Sequence, residues 1–326
     1  MEVSLFFLVP SVQLGGCTSY TVHLVLAMRA MGLTPRLYRI GKRPGSRSFG
    51  YGLTIETIAP PTAFALARRA PSLIVYCFWR KQGAHARTLL EAGVPMVVHD
   101  PAEFRKEWVG FARARSVRTL VIREQNVVGL RELGVSSTYV PHPYVASGVK
   151  APGIKMHAVS AVRVDFRKRT HVIVEANRTL PPERQVWLYG EVNRMYAYHY
   201  LRERFPEWGR WYRGEFPAER GAAVKLNGSA RFAIDLTEIK GDGGGTQYSF
   251  FEAWEAGTPL LLNANWFVGN DEVAGAGIPV ASAHDIVSIL SREPAEFQSF
   301  VEQGKRVMQA HSPEAVVPRY LEVLCA

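Results

Sequence analysis

Short apolar runs alternate with stretches of helical spacing along the chain, and this alternation limits the fold more than any other feature. In the first half it predicts strands at 3–11, 33–40, 72–79, 95–100 and 119–124. Between them it predicts helices at 21–32 and 83–92. Repeated strand–helix–strand units are typical of a parallel sheet with helices on both faces.

A second series of the same kind follows a Pro- and Gly-rich segment at 138–153, which we interpret as a linker. Its predicted strands lie at 155–162, 170–178, 185–190, 230–236, 258–263 and 277–282. Its predicted helices lie at 247–256, 284–291 and 296–309. We therefore expect an α/β protein of two doubly wound, Rossmann-like domains facing each other across a cleft. The expected domains are residues 1–150 and 151–312, with the C-terminal helix at 313–326 crossing back to the first.

Composition excludes several classes of protein. Hydrophobic residues make up 47% of the chain and charged residues 21%, which suits a globular protein and not a disordered one. Three cysteines without a CxxC pair argue against a disulfide framework or a structural zinc site. No apolar run reaches the length of a membrane span, and the apolar start has no basic residue ahead of it. We expect a protein of the reducing cytoplasm.

The positive charge lies entirely in the first half of the chain. Residues 1–150 hold 19 Lys and Arg against 8 Asp and Glu, a net charge of +11. Residues 151–326 hold 20 against 21, a net charge of −1. This asymmetry favours a polyanionic partner for the first half: nucleic acid, an anionic membrane surface or an acidic polymer. The alternative is a basic surface that serves only solubility.

Two candidate groups follow predicted strands of the first half, where open parallel sheets bind their ligands. Gly15-Gly16 follows the first strand and precedes a helix, whose free amides suit an anion. The full GxGxxG pattern is absent, and a tight turn explains the pair equally well. His99-Asp100 ends a later strand, where a histidine can exchange a proton with a substrate hydroxyl. A hydrogen-bonded structural histidine is the alternative.

Arg163 and Lys168 lie just after the first strand of the second half. Two cations five residues apart across a turn can clamp a pyrophosphate and stabilise the charge of its departure. Arg167 and Arg169 flank them. A solvated basic turn is the alternative interpretation.

The segment at 240–263, KGDGGGTQYSFFEAWEAGTPLLLN, is the most specific feature. A glycine-rich turn runs into a predicted helix, where the amides of Gly245, Thr246 and Gln247 can bind phosphate oxygens. Glu252, about two turns into that helix, can accept hydrogen bonds from sugar hydroxyls. A purely structural glycine-rich loop is the alternative.

These motifs together resemble the GT-B retaining glycosyltransferases of family 4. That family has a Gly-Gly turn after its first strand, an Arg-x4-Lys pair opening its second domain and a helix reading roughly E-A-x-A-x-G-x-P. Here these are Gly15-Gly16, Arg163 with Lys168, and EAWEAGTP at 252–259. One departure is clear: the first of the family's two glutamates falls on Gly244. The segments 15–24, 97–103 and 246–259 also resemble the DNA α-glucosyltransferases of T-even phages.

The resemblance implies a nucleotide-sugar donor, most commonly UDP-glucose, and no metal. Glu252 would hold the ribose, and the amides near Thr246 would hold phosphate. Arg163 and Lys168 would neutralise the diphosphate leaving group, and Gly190 joins the donor-binding residues. His99 would contact the sugar or the acceptor, with Asp100 as a proton acceptor.

The same resemblance places the acceptor on the basic first domain. Our first hypothesis is double-stranded DNA carrying a hydroxymethylated pyrimidine, flipped out of the duplex to reach the donor. The candidate contacts are Lys42, Arg43, Arg47, Arg80, Lys81, Arg105 and Lys106.

Two alternatives stay open. A membrane-surface enzyme with a lipid-linked or polysaccharide acceptor would use Phe104, Trp108 and Phe111 on one face of a basic helix, although these residues equally suit core packing. A non-catalytic nucleic-acid-binding protein would account for the missing first glutamate, but it needs no donor clamp.

Overall fold

The computed structural model describes residues 1–9, 15–100, 103–150, 152, 156–217, 219–239 and 245–325. The chain divides into two compact units. Unit 1 combines Met1–Val145 with the C-terminal segment from Ala310, and unit 2 takes the chain from Ala146 to Gln309 apart from a few residues after Ile239. No helix within the described ranges is long and apolar enough to cross a membrane.

Unit 1 is built on an eight-stranded sheet. Its strands are β1 (Glu2–Leu8), β2 (Thr34–Ile40), β3 (Gly45–Gly50), β4 (Leu53–Ile58), β5 (Ser72–Cys77), β6 (Met96–Val98), β7 (Thr119–Val121) and β8 (Thr138–Tyr139). Their order is β3-β4-β2-β1-β5-β6-β7-β8, and every pairing is parallel except that of β3 with β4. The central strand β1 is buried at Val3–Leu8, as expected of a parallel strand covered on both faces.

Helices connect these strands. They are α1 (Gly16–Ala30), α2 (Pro60–Ala67), α3 (Trp79–Glu91), α4 (Lys106–Arg115) and α5 (Gln125–Glu132). The C-terminal helix, Pro313–Cys325, belongs to the same unit. It packs on α1, where the hydroxyls of Tyr20 and Tyr320 share a buried hydrogen bond of 2.7 Å.

Unit 2 is built on a five-stranded parallel sheet. Its strands are β9 (Met156–Ala161), β10 (Val186–Tyr189), β11 (Ala230–Asp235), β12 (Leu260–Asn263) and β13 (Ile278–Val280), in the order β10-β9-β11-β12-β13. Its helices are α6 (Thr170–Thr179), α7 (Arg194–Tyr196), α8 (Arg202–Arg204), α9 (Ala222–Gly228), α10 (Tyr248–Glu255), α11 (Ala283–Leu290) and α12 (Gln298–Ala310). A π-helical turn, Ala197–Leu201, joins α7 to α8.

The strand order of unit 2 creates a switch point at the carboxyl ends of β9 and β11. From β9 the chain crosses to β10 on one side, and β11 follows on the other side of β9. Loops leaving two adjacent strands in opposite directions open a crevice between them, and open α/β sheets bind ligands there. The chemistry of unit 2 is therefore expected at this point.

One predicted strand is wrong: residues 170–178 form helix α6. The run THVIVEANR is rich in β-branched residues, which favour strands. However, the parallel strands β9 and β10 need a crossover between them, and a helix supplies it. Val172, Ile173 and Ala176 are buried, so the apolar face of α6 covers the sheet.

Several boundaries in unit 1 also differ from the prediction. Residues 41–50, to which the sequence pattern assigns no strand or helix, contain β3, which pairs with the unpredicted strand β4. Helix α1 begins at Gly16 and not at 21, and α3 begins at Trp79 and not at 83. The first turn of α1 is small or polar, and in α3 the residues after Trp79 are Arg80, Lys81 and Gln82, so the apolar periodicity of both first turns is weak.

Candidate functional site

A buried carboxylate organises the switch point of unit 2. Asp235 is the last residue of β11, and its side chain is 2% exposed. Its Oδ1 lies 3.9 Å from the Lys168 ammonium and accepts the Thr237 amide at 2.9 Å. The Ser249 hydroxyl donates to its Oδ2 at 2.6 Å. The loops after β9 and β11 and the start of α10 thus meet at one side chain.

Lys168 is fixed by this cluster. Its ammonium also donates to the Thr237 hydroxyl at 2.5 Å, and its side chain is 19% exposed. The contacts with a buried carboxylate and a hydroxyl hold the ammonium in one position. Lys168 therefore presents a fixed cation at the carboxyl edge of the sheet. The sequence prediction missed Asp235, although an acidic residue ending the apolar run ARFAID is a recognisable signal.

Arg163 lies on the same loop and is less constrained. Its side chain is 55% exposed, and its Nε lies 3.6 Å from Asp165 Oδ2. Burial acts to raise the pKa of Asp165, but hydrogen bonds from the Asn193 amide group and the Arg167 backbone, with the Arg163 charge, lower it overall. The loop is thereby held by a carboxylate while Arg163 keeps an exposed guanidinium.

The neighbouring arginines differ in their contacts. Arg167 is exposed on the short 3₁₀ turn Phe166–Lys168. Arg169 donates to the carbonyl of Ala281 at 3.0 Å and supports the fold.

Gly190 supports the Arg163 loop from below. A Cβ at this position would lie 2.7 Å from the Val162 carbonyl oxygen, and φ is +116°. Its amide donates to Gly214 at 3.0 Å, and its carbonyl accepts the Tyr212 hydroxyl at 2.9 Å. Both backbone groups are used within the fold, so the structure gives Gly190 a part in loop placement.

The glycine-rich turn is described only from Gly245 onward. The expected phosphate-binding loop at 240–244, including Gly244, lies outside the described residues. Gly245 has φ of +83°, Thr246 is buried, and Gln247 immediately precedes the first turn of α10. Ser249, in the first turn of α10, hydrogen-bonds to Asp235 and so ties this end of the helix to β11. The amides of the turn and of the first turn of α10 lie at the same end.

Glu252 lies one turn into α10, not two. It is half-buried, and burial together with the charges of Glu255 and Asp235 raises its pKa to about 8. At neutral pH this group is mostly protonated, so it can donate one hydrogen bond and accept others. Glu255 serves the fold instead, because it accepts the Ser147 amide at 2.7 Å and the Gly148 amide at 3.1 Å.

In unit 1 the glycine pair stands at the start of α1. The amides of Thr18 and Ser19 donate to the Gly15 carbonyl, each at 2.9 Å. A Cβ built at Gly15 or Gly16 meets no atom of the described residues within 4 Å. The helix therefore begins with an open approach to its backbone at the carboxyl end of β1.

His99 is buried in unit 1 and directly follows the last residue of β6. Its Nε2 donates to the Val75 carbonyl at 2.7 Å, and the rings of Tyr20 and Tyr76 contact it edge-on. Burial lowers its pKa to about 4. His99 is therefore a neutral imidazole at neutral pH, which makes it a weak proton acceptor and moves that role towards Asp100.

A second carboxyl group lies next to Asp100. Burial and the charge of Asp100 raise the pKa of Glu103 well above its usual range. The sequence prediction did not single out Glu103. Pro101 and Ala102, between the two acids, lie outside the described residues.

The predicted acceptor cations share one edge of the unit 1 sheet. Six of them follow the carboxyl ends of β2, β5 and β6, and Arg47 lies on β3 opposite Ile55 in the middle of β4: Lys42, Arg43, Arg47, Arg80, Lys81, Arg105 and Lys106. All are exposed except Arg105, which is half-buried. The carboxyl ends of parallel strands lie at one edge, so these cations form a single basic border.

The aromatic residues near α4 do not form a membrane-binding face. Trp108 is 1% exposed and packs in the core beneath the sheet. Phe104 and Phe111 are half-buried against the same core. The expectation of an interfacial helix is therefore wrong, because its aromatic side faces inward.

Among the described residues, no group of three or more His, Cys, Asp or Glu side chains is placed to hold a metal ion.

Comparisons with known proteins agree with this architecture. Neither a protein-family model nor a curated protein matches the sequence. Among solved structures, HepE from Anabaena in complex with UDP and glucose is similar over 99% of each chain, with 11% identity and a TM-score of 0.74. An alpha-glucosyltransferase in complex with UDP and a 13-mer DNA containing an HMU base is similar over 100% of this chain and 99% of its own, with 11% identity and a TM-score of 0.75.

The pneumococcal O-GlcNAc transferase GtfA, in complex with UDP and GlcNAc, is similar over 99% of this chain and 98% of its own, with 9% identity and a TM-score of 0.66. At these identities the likeness is one of fold. It confirms the predicted fold class: the chain has the α/β, two-domain GT-B fold.

Proposed function

We propose that this protein is a nucleotide-sugar-dependent glycosyltransferase that retains the anomeric configuration, with UDP-glucose as donor. The observation that carries the proposal is the fixed Lys168 cation at the switch point of unit 2, beside the exposed Arg163 and the start of α10. The similar structures named above contain UDP, which supports the same donor class.

The donor half of the mechanism follows from the charges at this edge. Lys168 and Arg163 bind the diphosphate and stabilise the negative charge that develops as its bond to the anomeric carbon breaks. The amides near Thr246 add neutral donors to the phosphate oxygens. Glu252 accepts hydrogen bonds from the ribose hydroxyls in its ionised form, whose population increases as the pH rises through about 8.

The acceptor half is assigned to unit 1. A hydroxyl oxygen of the acceptor forms a bond to the anomeric carbon, its proton passes to Asp100, and the diphosphate leaves with the bonding electrons. Attack from the face that the diphosphate vacates retains the configuration. His99, neutral at neutral pH, orients the sugar or acceptor through hydrogen bonds.

We further propose that the acceptor is a hydroxymethylated pyrimidine in double-stranded DNA. The basic border of unit 1 and the net charge of +11 over residues 1–150 suit a chain of phosphates. The inward-facing Trp108 removes the feature that favoured a lipid-linked acceptor. Lys168, held in place by the buried Asp235, argues against a protein that only binds nucleic acid, because such a protein needs no fixed cation for a diphosphate.

Transfer of radiolabelled sugar from a panel of nucleotide sugars tests both proposals. The acceptors are duplex DNA containing 5-hydroxymethylcytosine or 5-hydroxymethyluracil, unmodified DNA and an anionic lipid extract. We expect label from UDP-glucose in the hydroxymethylated DNA alone. Lys225→Ala, an exposed lysine on α9, serves as a control for Lys168→Ala.

Each outcome has a distinct meaning. Label in lipid, or donor hydrolysis without labelled DNA, overturns the DNA acceptor and keeps the transferase. Absence of turnover with every donor, together with tight DNA binding, overturns the transferase and favours a binding protein.

A further inference from the structure

One exposed helical face in unit 2 has no part in the site described so far. The segment from Arg194 to Arg204 turns Arg194, Met195, Tyr198, His199 and Arg202 outward, and we call these five residues the 194–202 face. Met195 is 65% exposed and Tyr198 60%. Met195 and Tyr198 are three positions apart in a helical segment, so their exposed surfaces are neighbours and form a candidate interaction site.

The inner side of the same segment is firmly packed. Tyr196 and Leu201 are buried, and the Tyr196 hydroxyl accepts the His171 amide at 2.8 Å. The π-helical turn, Ala197–Leu201, rotates the side chains that follow it relative to an α-helix. Such π-turns occur frequently at functional sites. The 194–202 face is therefore presented by a rigid support.

Arginines stack on the tyrosines of this segment. The Arg202 guanidinium lies 5.8 Å from the centre of the Tyr198 ring, and that of Arg204 lies 4.5 Å from the Tyr200 ring. Stacking covers one side of each ring and orders the guanidinium. Tyr198 keeps 60% of its surface exposed beside Arg202, which leaves area for a planar partner.

Phe166 extends the face towards the donor site. It is 46% exposed, and its ring lies 4.4 Å from that of Tyr196 and 5.6 Å from that of Tyr200. Phe166 stands in the same 3₁₀ turn as Lys168, at the carboxyl end of β9. A ligand lying along the 194–202 face would thus end at the edge where the donor is proposed to bind.

The charge of residues 194–213 indicates what kind of ligand the 194–202 face binds. Residues 194–213 contain five Arg and two Glu, whereas residues 151–326 as a whole have a net charge of −1. One of those acids, Glu207, forms an ion pair with Arg178 at 2.5 Å. Positive charge interleaved with exposed aromatic rings suits a ligand with both phosphates and planar bases.

We propose that the 194–202 face, with Phe166, binds a polynucleotide strand next to the acceptor base. Its arginines contact phosphates, and Tyr198 and Phe166 stack on bases that are not paired. The proposal rests on the DNA acceptor proposed above, because the strand bound here belongs to the same molecule. A polysaccharide fits less well, since its hydroxyls call for carboxylates and amides, and these five side chains supply none.

Binding of 5′-labelled single-stranded and duplex oligonucleotides, followed by fluorescence anisotropy over a range of salt concentrations, tests the proposal. Each lost phosphate contact reduces the slope of log K against log salt by about 0.7–0.9, so Arg202→Glu should bind DNA about tenfold more weakly with a shallower slope. Tyr198→Ala should weaken binding of the single strand at least about fivefold. The matched control is Arg306→Glu, which reverses an exposed charge on α12.

The outcomes separate this proposal from the proposed function. UDP-glucose binding should be unchanged in Tyr198→Ala and Arg202→Glu, which shows that the donor site is intact. If the unaltered protein binds DNA and both variants match Arg306→Glu, the face is overturned and the DNA acceptor stands. If the unaltered protein binds no DNA, both fail. Binding to phosphatidylserine vesicles that these two variants lose, with DNA binding unchanged, would assign the face to a membrane instead.

Discussion

The two sheets carry different chemistry at the same edge. In unit 2 the carboxyl edge is organised by one buried carboxylate, Asp235, which holds Lys168 in place. In unit 1 the carboxyl edge carries a row of exposed cations and a buried neutral histidine, His99. Both units are thus built around parallel strands, and they differ in how firmly their charges are held.

This difference matches two kinds of anion. A cation that must meet one diphosphate at one moment of a reaction has to be positioned before the ligand arrives. A border of exposed cations suits a long polyanion, because many weak contacts add up and none needs close placement. The edge with the fixed cation in unit 2 therefore fits the donor, and the edge with the exposed cations in unit 1 fits the acceptor.

The largest expected effect comes from removing the fixed cation. Lys168→Ala should lower kcat for sugar transfer by about 100-fold or more, the range seen when one preorganised donor is lost from a transition state. Steady-state kinetics with UDP-glucose measure it, and Lys225→Ala should leave kcat unchanged. Loss of unfolding free energy is expected as well, because Asp235 loses the cation that faces it. An unaltered kcat in a folded Lys168→Ala protein would contradict the role of the fixed edge.

Gly190→Ala tests whether the fixed edge depends on the loop beneath it. The new Cβ would meet the Val162 carbonyl oxygen at 2.7 Å with φ at +116°. Strain and overlap together should lower the free energy of unfolding by about 2–3 kcal/mol. Urea denaturation measures it. At Gly209 a Cβ meets no described atom within 4 Å, so Gly209→Ala should change stability by less than about 1 kcal/mol.

Glu252 makes the donor site sensitive to pH. Its pKa of about 8 means that the carboxylate appears only as the pH rises through 8. If the ribose hydroxyls donate to that carboxylate, UDP-glucose affinity should rise with pH, by up to about 25-fold between pH 6.5 and 8.5. Isothermal titration calorimetry measures it, because UDP-glucose itself has no phosphate that titrates in this range.

The matched variant is Glu252→Gln, which keeps the shape and removes the ionisation. Its affinity for UDP-glucose should equal that of the unaltered protein with Glu252 protonated, and it should not change with pH. A pH-dependent Glu252→Gln protein would assign the effect to another group.

The sequence predicted most of the fold because the central strands of the two sheets are runs of mainly apolar residues. Strands such as β1 and β11 are buried on both faces, so their composition alone identifies them. The run in α6 has the same composition, and only the need for a crossover makes it a helix. Local pattern could not distinguish the two, because the deciding interaction lies between β9 and β10.

The candidate site was partly accessible in the same way. The sequence shows Arg163 and Lys168 as cations that follow a strand. Asp235, which fixes Lys168, lies 67 positions further along the chain, so the sequence does not show their contact. His99 shows a second limit: its strand-end position suggests a proton carrier, but burial beside Tyr20 and Tyr76 lowers its pKa and keeps it neutral at neutral pH. Burial and long-range pairing decide what a titratable side chain does, and a single sequence reports neither.

The smallest expected effect belongs to the exposed cations of unit 1. Arg80→Glu with Lys81→Glu reverses two cations in the first turn of α3, where acidic residues suit the helix dipole and the fold is retained. DNA binding should weaken about tenfold, and the slope of log K against log salt should fall by about 2 if each cation meets one phosphate.

The control, Arg68→Glu with Arg69→Glu, makes the same charge change after α2, just before β5 begins and so at the opposite edge of the sheet. Anisotropy at several salt concentrations compares the two. If both double variants lost the same DNA affinity, binding would depend on net charge alone. That result would contradict the proposal that the acceptor binds at the carboxyl edge of unit 1.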